Sequence, residues 1–477
     1  MILAQLLHLT LDCIASRKRV SNVRCAALGL LIVLALVGAP SPVAATDDVI
    51  LHPGRIAVRI GQHSPFALVK SALAARLETC RREAVSGLDD DPPLRLGSGT
   101  RRRIAEVAAC LPGLKENPLS PEHRGVLTRR LWRTLLPDVP PPTLAERIDA
   151  LTLSFEATDF SDPPAWNFCQ DTPGAPEDRP AAIRAGATCF NATDPCSMLT
   201  WGPRGATAGQ GAEIQWILWR LHRQAPDLLA EAFGPEAPAV VRFLALKRPS
   251  PVSCDGSAPA EHFMCAVWLD PLRKKTWEAA LLALGSTRRA REAYSAIYSA
   301  LEFDGYKIRQ YFELWRSAGL RPSEVDYAFF FDRATHIGSP PASDTPQNAA
   351  FRDCLAGGGP GGSAAAVIRN AVARRCLSLT HPHQSQPVDR LGRDVAYYRD
   401  AFGQAVLSDK EQTTWTHHIP LDAVSGFGLS DARPAPPGAI ESRSLAPEDR
   451  PPETRDDLTE AERACPLQVR RPDRRRP

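Results

Sequence analysis

Proline is the residue that most restricts how this chain folds, because 44 of its 477 residues are proline. Each proline fixes φ and removes a backbone N–H donor, so it ends helices and is excluded from central strands. The prolines therefore predict rigid connections between short elements rather than one long bundle. They are concentrated in a linker at 138–142, in the stretch 162–196 and in the tail from residue 431 onward.

The first 45 residues have the pattern of a secretory signal peptide. Four basic residues between positions 17 and 24 precede an apolar run over 26–37, and small residues follow near position 45. The apolar run is shorter than the about 20 residues that a membrane-spanning helix needs. We therefore expect 1–45 to be a signal peptide and the mature protein to be periplasmic or secreted. An uncleaved anchor is the alternative.

The charge of the chain excludes one class of partner. The formal net charge of +3 is carried by residues 1–45, whose four basic residues outnumber the single Asp12, so the remainder is close to neutral. A nucleic-acid-binding protein needs a basic surface. We therefore expect no nucleic acid as a partner, and no membrane contact beyond the signal segment.

The cysteines predict disulfides. Two of the 12 lie in residues 1–45, which leaves an even number in a chain that we expect to be exported. Short loops close most easily, so we expect the pairs Cys80–Cys110, Cys254–Cys265 and Cys354–Cys376. The remaining four would then pair among themselves (Cys169, Cys189, Cys196 and Cys465). No Cys-x-x-Cys or His-carboxylate spacing is present, so we expect no metal and no cofactor.

Periodicity and composition divide the chain and predict a mainly helical protein. After the signal peptide (1–45) come an N-terminal helical region (46–142), a core (143–340), a C-terminal helical extension (341–430) and a disordered tail (431–477), which is rich in Pro and charge. A helix over 143–156 is predicted by a capping box of Thr143 and Glu146. Apolar residues then follow at helical spacing (Leu144, Ile148, Leu151 and Phe155).

Two segments carry candidate chemistry. Glu156 ends the 143–156 helix, where the helix dipole and burial against Phe155, Phe160 and Trp166 would favour a protonated carboxyl, as a general acid needs. A terminal Glu in solvent is the simpler alternative. Residues 199–211 contain four glycines before a stretch with helical periodicity over 212–233, which predicts a tight hairpin followed by a helix. In it, Trp201 either stacks on a sugar ring or packs in the core.

Together these segments resemble the lysozyme-like superfamily, which includes chitosanases, phage-type lysozymes and lytic transglycosylases. Residues 205–209 (Gly-Ala-Thr-Ala-Gly) are similar to the Thr-containing hairpin turn of these enzymes. Residues 211–215 are similar to the Gly-Ala-x-Gly-x-x-Gln stretch of transglycosylases. Residues 327–338 are similar to the Asp-containing helix of chitosanases.

The resemblance covers 143–340 and implies an α+β fold with two helical lobes, a small β-hairpin and a cleft. It implies that Glu156 is the catalytic acid and that Thr207 lines the cleft. We also expect Trp201 and Gln210 to shape the substrate subsites. Asp332, one helical turn before His336, either binds substrate or forms a buried hydrogen-bonded pair with it that steadies the second lobe. The second carboxylate stays open among Asp159, Asp162, Asp171 and Asp194: Asp159 is nearest to the acid in sequence and Asp194 nearest to the hairpin. Without such a partner, a single-Glu lytic mechanism fits better.

We therefore expect an exported glycoside hydrolase or lytic transglycosylase that cleaves a β-1,4-linked amino-sugar polymer, either peptidoglycan or a chitosan-like glycan. The alternative from another class is a non-catalytic peptidoglycan-binding or envelope scaffold protein that uses the same groove. A helical adaptor, with the resemblance due to chance, is the third interpretation. The distance between Glu156 and a carboxylate across the cleft would distinguish retention, inversion and a mechanism without a second carboxylate.

Overall fold

The structure, a computed structural model, is mainly helical. The chain divides by its internal contacts between residues 48 and 49, and all described residues belong to the second unit. The described residues are 49–53, 58–81, 91–111, 124–156, 159–166, 188–189, 197–209, 211–249, 258–336, 338–340, 342–356, 393, 396–397, 423–435, 443–452, 457–465 and 467–468. Predictions for the signal peptide, Cys169, Asp171, Asp194, Cys196, Gln210 and most of 357–422 lie outside them.

The first part of the described chain combines short strands with four helices. In chain order the elements are β1 (Val49–Leu51), β2 (Val58–Arg59), α1 (Val69–Arg81), β3 (Arg95–Leu96), α2 (Ser98–Cys110), β4 (Leu127–Thr128), α3 (Arg129–Leu135) and α4 (Leu144–Glu156). β1 pairs with β4 and β2 with β3, both antiparallel. The predicted Cys80–Cys110 disulfide is confirmed and joins α1 to α2.

The predicted capping box explains where α4 begins. The backbone N–H of Thr143 donates to Glu146 Oε2 at 2.8 Å, and the backbone N–H of Glu146 donates to Thr143 Oγ1 at 3.2 Å. These reciprocal bonds satisfy N–H groups that the first turn of a helix leaves without partners. The apolar face of α4 is buried through Ile148, Leu151 and Phe155, so both its start and its buried face follow from sequence.

A three-stranded sheet and six helices follow. They are β5 (Ala165–Trp166), β6 (Thr188–Cys189), β7 (Ser197–Trp201), β8 (Ala206–Gly209), α5 (Glu213–Gln224), α6 (Pro226–Phe233), α7 (Ala237–Leu244), α8 (Pro259–Leu269), α9 (Pro271–Ser286) and α10 (Arg288–Tyr298). The sheet order is β5-β7-β8, and Thr200 faces Thr207 across β7 and β8. The single helix predicted over 212–233 is wrong, because Pro226 cannot continue α5 and instead begins α6.

The last part of the described chain contains helices and one strand that pairs with an earlier strand. It comprises α11 (Asp304–Ser317), α12 (Glu324–His336), α13 (Pro346–Ala356), α14 (Ala423–Gly426), α15 (Glu460–Arg463) and β9 (Leu467–Gln468), which pairs in parallel with β6. The described part of the predicted disordered tail is instead ordered. Arg220 pairs with Asp449 and Arg242 with Glu462 at 2.7 Å, contacts that composition does not reveal.

The pairing of Cys265 also differs from the prediction. Cys265 bonds to Cys465, 200 residues further along the chain, so both the Cys254–Cys265 pair and the pairing of Cys465 within the leftover set are wrong. A preference for short loops cannot anticipate a bond whose two ends are brought together by folding. Cys354 is also disulfide-bonded, and its predicted partner, Cys376, lies outside the described residues.

Buried apolar side chains form two clusters. The first apolar cluster is built from β1, α1 to α4, α11 and α12, together with Tyr397 and Phe427. The second apolar cluster is built from β5, β7, β8 and α5 to α10, together with Leu445 and Cys465. Among the helices in the described ranges, none has both the length and the apolar character that crossing a membrane requires.

Candidate active site

Glu156, the predicted acid, is the last residue of α4 and is held in an ion pair. Its carboxylate pairs with Arg393, which also donates to Asp332 Oδ1 at 3.1 Å. The Arg393 guanidinium lies 5.9 Å from the ring centre of Phe155. An adjacent guanidinium favours the charged form of a carboxylate, whereas a general acid must carry a proton. The surroundings of Glu156 therefore differ from those that the sequence predicted.

Asp159 has a structural role in the loop after α4. Its Oδ2 accepts from the backbone N–H of Gln62 at 2.9 Å and from Ser161 Oγ at 3.0 Å, and its Oδ1 accepts from the backbone N–H of Phe160 at 2.7 Å. The side chain is buried, so both oxygens are used within the protein. Asp159 thus fastens residues 61–62 to this loop. Neighbouring Asp162 is used in the same way, in an ion pair with Arg59 at 2.8 Å.

Trp201 and Asp332, both predicted to bind substrate, are buried. Trp201 is 1% exposed, and its ring packs at 5.6 Å from the ring centres of both Phe160 and Tyr294. Of the two interpretations of this tryptophan, the structure matches the core residue. Asp332 is fully buried on α12 and contacts Arg393. Neither side chain presents a surface to a ligand.

Two buried tyrosines of α10 hold the turn between β7 and β8. The backbone N–H of Arg204 donates to Tyr294 Oη at 3.0 Å, and Tyr298 Oη donates to the carbonyl of Arg204 at 3.2 Å. Burial raises the pKa of both tyrosines, so both hydroxyls keep their protons. The turn needs Gly202 at φ +78°, because a Cβ there would lie 2.8 Å from the ring of Tyr294.

The fixed turn places the Arg204 side chain between elements of the two apolar clusters. Its guanidinium pairs with Asp149 of α4 and lies 3.9 Å from the ring centre of Phe331 on α12 and 5.2 Å from that of Tyr298. Burial lowers the pKa of Arg204, but the charge of Asp149, its hydrogen bond and the charge of Asp304 outweigh that effect and raise it. Arg204 therefore stays charged while buried.

Glu213, at the start of α5, is the carboxyl group that sequence reasoning missed. Its Oε2 accepts from Thr207 Oγ1 at 2.7 Å and from the backbone N–H of Thr207 at 3.1 Å. Burial raises the pKa of Glu213; the hydrogen bonds of Thr207 oppose that rise and the charge of Asp304 adds to it. The residue as a whole is only partly buried. Glu213 thus combines a carboxyl group whose pKa is raised by burial with a residue surface that solvent reaches.

The backbone geometry of residues 211 and 212 positions the carboxyl group of Glu213. Ala212 has φ +56°, in the left-handed region that costs a residue with a Cβ roughly 1–2 kcal/mol. Gly211 leaves the space that the carboxyl fills, since a Cβ there would lie 2.1 Å from Glu213 Oε1. Backbone strain at Ala212, next to a glycine that leaves room for the carboxyl group, is typical of functional sites. The sequence signal was Gly211 and Ala212 before a helix that begins with a glutamate.

Asp304 completes the charged cluster, which we define as Asp149, Arg204, Glu213 and Asp304. Asp304 begins α11, is buried, and accepts from Lys307 Nζ at 2.8 Å and from Thr335 Oγ1 at 3.1 Å. The cluster draws on elements of both apolar clusters. Predicted Thr207 contacts the cluster through its hydrogen bonds to Glu213. The hydrogen bonds of Asp159 and the ring contacts of Trp201 described above involve none of its four members. No grouping of three metal ligands occurs within the described part of the chain.

No protein-family model matches this sequence, and no curated protein or solved structure is significantly similar to it.

Proposed function

We propose that the protein is an exported glycosidase that cleaves a β-1,4-linked amino-sugar polymer, peptidoglycan or a chitosan-like glycan, with Glu213 as its general acid. The observation that carries this proposal is the Glu213 carboxyl, which is bonded to Thr207 and has a raised pKa, in a residue that is only partly buried. A glycosidic acid must keep its proton near neutral pH. The substrate class comes from the resemblance of residues 205–209, which include Thr207.

In this proposal the glycan lies in a cleft between two helical lobes, one built on each apolar cluster. Asp149 belongs to α4, which packs in the first cluster, and Glu213 begins α5, which packs in the second. The Asp149–Arg204 ion pair connects the two sides. Because several carboxyl groups occur in the cluster, hydrolysis is favoured over a lytic mechanism with a single glutamate. The disulfides are compatible with an oxidising compartment.

The contacts of the two glutamates support Glu213 rather than Glu156 as the acid. The carboxylate of Glu156 is already engaged in an ion pair with Arg393. Glu213 has no cation among its described hydrogen-bond partners, and burial stabilises its protonated form. Of the two glutamates, Glu156 at the end of α4 has a cation among its described partners, and Glu213 at the start of α5 does not.

A second candidate function is a non-catalytic glycan-binding protein of the cell envelope. The observation that favours it is the Glu156–Arg393 ion pair, since a lysozyme-like protein whose helix-terminal glutamate is neutralised has lost the acid that the resemblance implies. The predicted groove would then bind strands without cleaving them.

The test compares E213Q with E156Q on purified peptidoglycan and on chitosan, with released reducing ends as the readout. Glutamine keeps the shape of the side chain and an oxygen that accepts from Thr207, but it cannot donate the proton. We expect E213Q to lose at least about 100-fold in kcat and E156Q to stay within a few-fold of wild type. Undiminished turnover by E213Q refutes the assignment. Binding without cleavage by the wild type supports the non-catalytic candidate.

A further inference from the structure

Thr207 gives two hydrogen bonds to one oxygen of the Glu213 carboxyl. Its hydroxyl Oγ1 donates to Oε2 at 2.7 Å, and its backbone N–H donates to the same oxygen at 3.1 Å. β8 lies at the edge of the β5-β7-β8 sheet, where N–H groups on the outer side of a strand have no neighbouring strand to pair with. Glu213 therefore supplies the acceptor that Thr207 needs, and Thr207 in turn fixes the carboxyl.

The sheet holds Thr207 in place. Thr207 pairs with Thr200 of β7, and the turn between the two strands is fastened through Arg204 to Tyr294 and Tyr298 of α10. Groups built on a paired strand are positioned more precisely than groups on a loop. The two donors to Oε2 therefore occupy fixed positions.

These contacts determine which carboxyl oxygen carries the proton. A protonated carboxyl group has one oxygen that donates and a second that accepts. The backbone N–H of Thr207 can only donate, so it requires Oε2 to accept. The proton of Glu213 therefore belongs on Oε1, which none of the described hydrogen bonds of Thr207 reaches.

The same contacts become stronger when the proton leaves. Hydrogen bonds to an ionised acceptor are stronger than hydrogen bonds between neutral groups. Those of Thr207 accordingly oppose the rise that burial causes in the pKa of Glu213. An interaction that is stronger in the transition state than in the ground state accelerates a reaction. Burial thus keeps the proton on Glu213, and Thr207 stabilises the carboxylate as it forms.

We propose that Thr207 is the positioning residue of the general acid, an inference that rests on the function proposed above. Thr207 holds Oε2 as an acceptor, and the proton leaves from Oε1. This proton bonds to the glycosidic oxygen as that oxygen separates from the anomeric carbon with the electron pair of the broken bond. Water adds to the anomeric carbon, and the proton that it releases restores Glu213 through solvent.

The test compares T207V with T207S in the full chain, on the glycan that the wild type cleaves. Valine keeps the branched shape and removes the hydroxyl, whereas serine keeps the hydroxyl. We expect T207V to lose about 10–100-fold in kcat, the value of one hydrogen bond to a charged group, with little change in KM. T207S should stay within a few-fold of wild type. T276V is the matched control, because Thr276 Oγ1 donates to the carbonyl of Leu272 within α9 at 2.9 Å, and it should retain wild-type kcat.

The pH dependence of kcat distinguishes positioning from a structural role. Activity falls as pH rises through the pKa of the acid. Thr207 lowers that pKa, so T207V should move the alkaline limb of the profile to higher pH. Asp304 of α11 and Tyr298 of α10 also interact electrostatically with Glu213, and T207V leaves both in place. NMR titration of isotope-labelled glutamate, with E213Q identifying the signal, should show the same rise in T207V and none in T276V.

A purely structural Thr207 gives a different pattern. T207V would then lose thermal stability and turnover together while the alkaline limb and the NMR titration stayed unshifted, and that result overturns the proposal. Wild-type kcat in T207V overturns it as well. If T207V does not fold, T207A takes its place, since alanine also lacks the hydroxyl. Failure of the proposed function is a separate outcome, because it appears as full turnover by E213Q, whereas the NMR titration needs no glycan.

Discussion

Replacing Gly211 by alanine tests whether the position of the Glu213 carboxyl matters, without changing Glu213 itself. A Cβ on residue 211 would lie 2.1 Å from Oε1 and 2.2 Å from Oε2 of Glu213, far inside van der Waals contact. The φ of Gly211 is outside the left-handed region, so the backbone accepts alanine. The end of the Glu213 side chain is the part that must move.

The expected cost follows from the contacts that the moved carboxyl loses. It gives up hydrogen bonds from Thr207 Oγ1 at 2.7 Å and from the Thr207 backbone N–H at 3.1 Å, each worth about 0.5–1.5 kcal/mol. Replacing glycine by alanine returns about 0.4–1 kcal/mol by restricting the unfolded chain. We therefore expect G211A to lose only about 1 kcal/mol of stability. Its glycosidase turnover should fall by about 100-fold or more.

G234A is the matched control for this substitution. Gly234 has φ +52°, and a Cβ on this residue would meet no other atom within 4 Å. With ψ −127° this is a conformation that favours glycine, so alanine there costs roughly 1–3 kcal/mol of backbone strain but leaves Glu213 untouched. Thermal unfolding and turnover, measured on both variants, should respond differently. G211A should lose mainly activity and G234A mainly stability. Wild-type turnover in G211A would refute the role assigned to the Glu213 carboxyl.

Two further predictions concern stability. The Cys265–Cys465 disulfide closes a loop of 200 residues and the Cys80–Cys110 disulfide one of 30. Because each disulfide restricts the entropy of the unfolded chain, removing the first should cost about 5 kcal/mol of unfolding free energy and removing the second about 3.5 kcal/mol. Urea unfolding of the two double-serine variants measures these losses, and equal or reversed losses would contradict this. Because the pKa of Glu213 is raised above its ordinary 4.5, its contribution to stability is present below pH 4.5 and is lost as pH rises through the folded pKa. E213Q should therefore show a smaller fall in unfolding free energy with rising pH, and an unchanged pH dependence would contradict the raised pKa.

The elements that sequence predicted well are those specified by neighbouring residues. The start of α4 follows from Thr143 and Glu146, three positions apart, and the Cys80–Cys110 bond joins helices that follow each other along the chain. The mainly helical composition likewise follows from periodicity that is local to each segment. Where a local rule failed, as for the helix predicted over 212–233, a proline was the cause.

The charged cluster could not be assembled from sequence because its contacts are distant along the chain. Asp149 and Arg204 are 55 residues apart, and no spacing rule connects a residue in mid-helix with one in a turn. The tail was misjudged for the same reason, since its order depends on partners in α5, α7 and α8. Thr207 was selected on local pattern and does lie at the cluster, because its turn and the following helix are adjacent in sequence.

The two glutamates show what a rule based on helix ends leaves out. By the helix dipole alone, Glu156 at a C-terminus should favour its protonated form and Glu213 at an N-terminus its charged form. The ion pair between Glu156 and Arg393 is a tertiary contact that this rule does not include. The dipole contributes about 0.3–1 kcal/mol. At the start of α5, burial and the charge of Asp304 outweigh it, since the pKa of Glu213 is raised in spite of the dipole and of Thr207. Tertiary neighbours, rather than position on a helix, therefore set the surroundings of each carboxyl group.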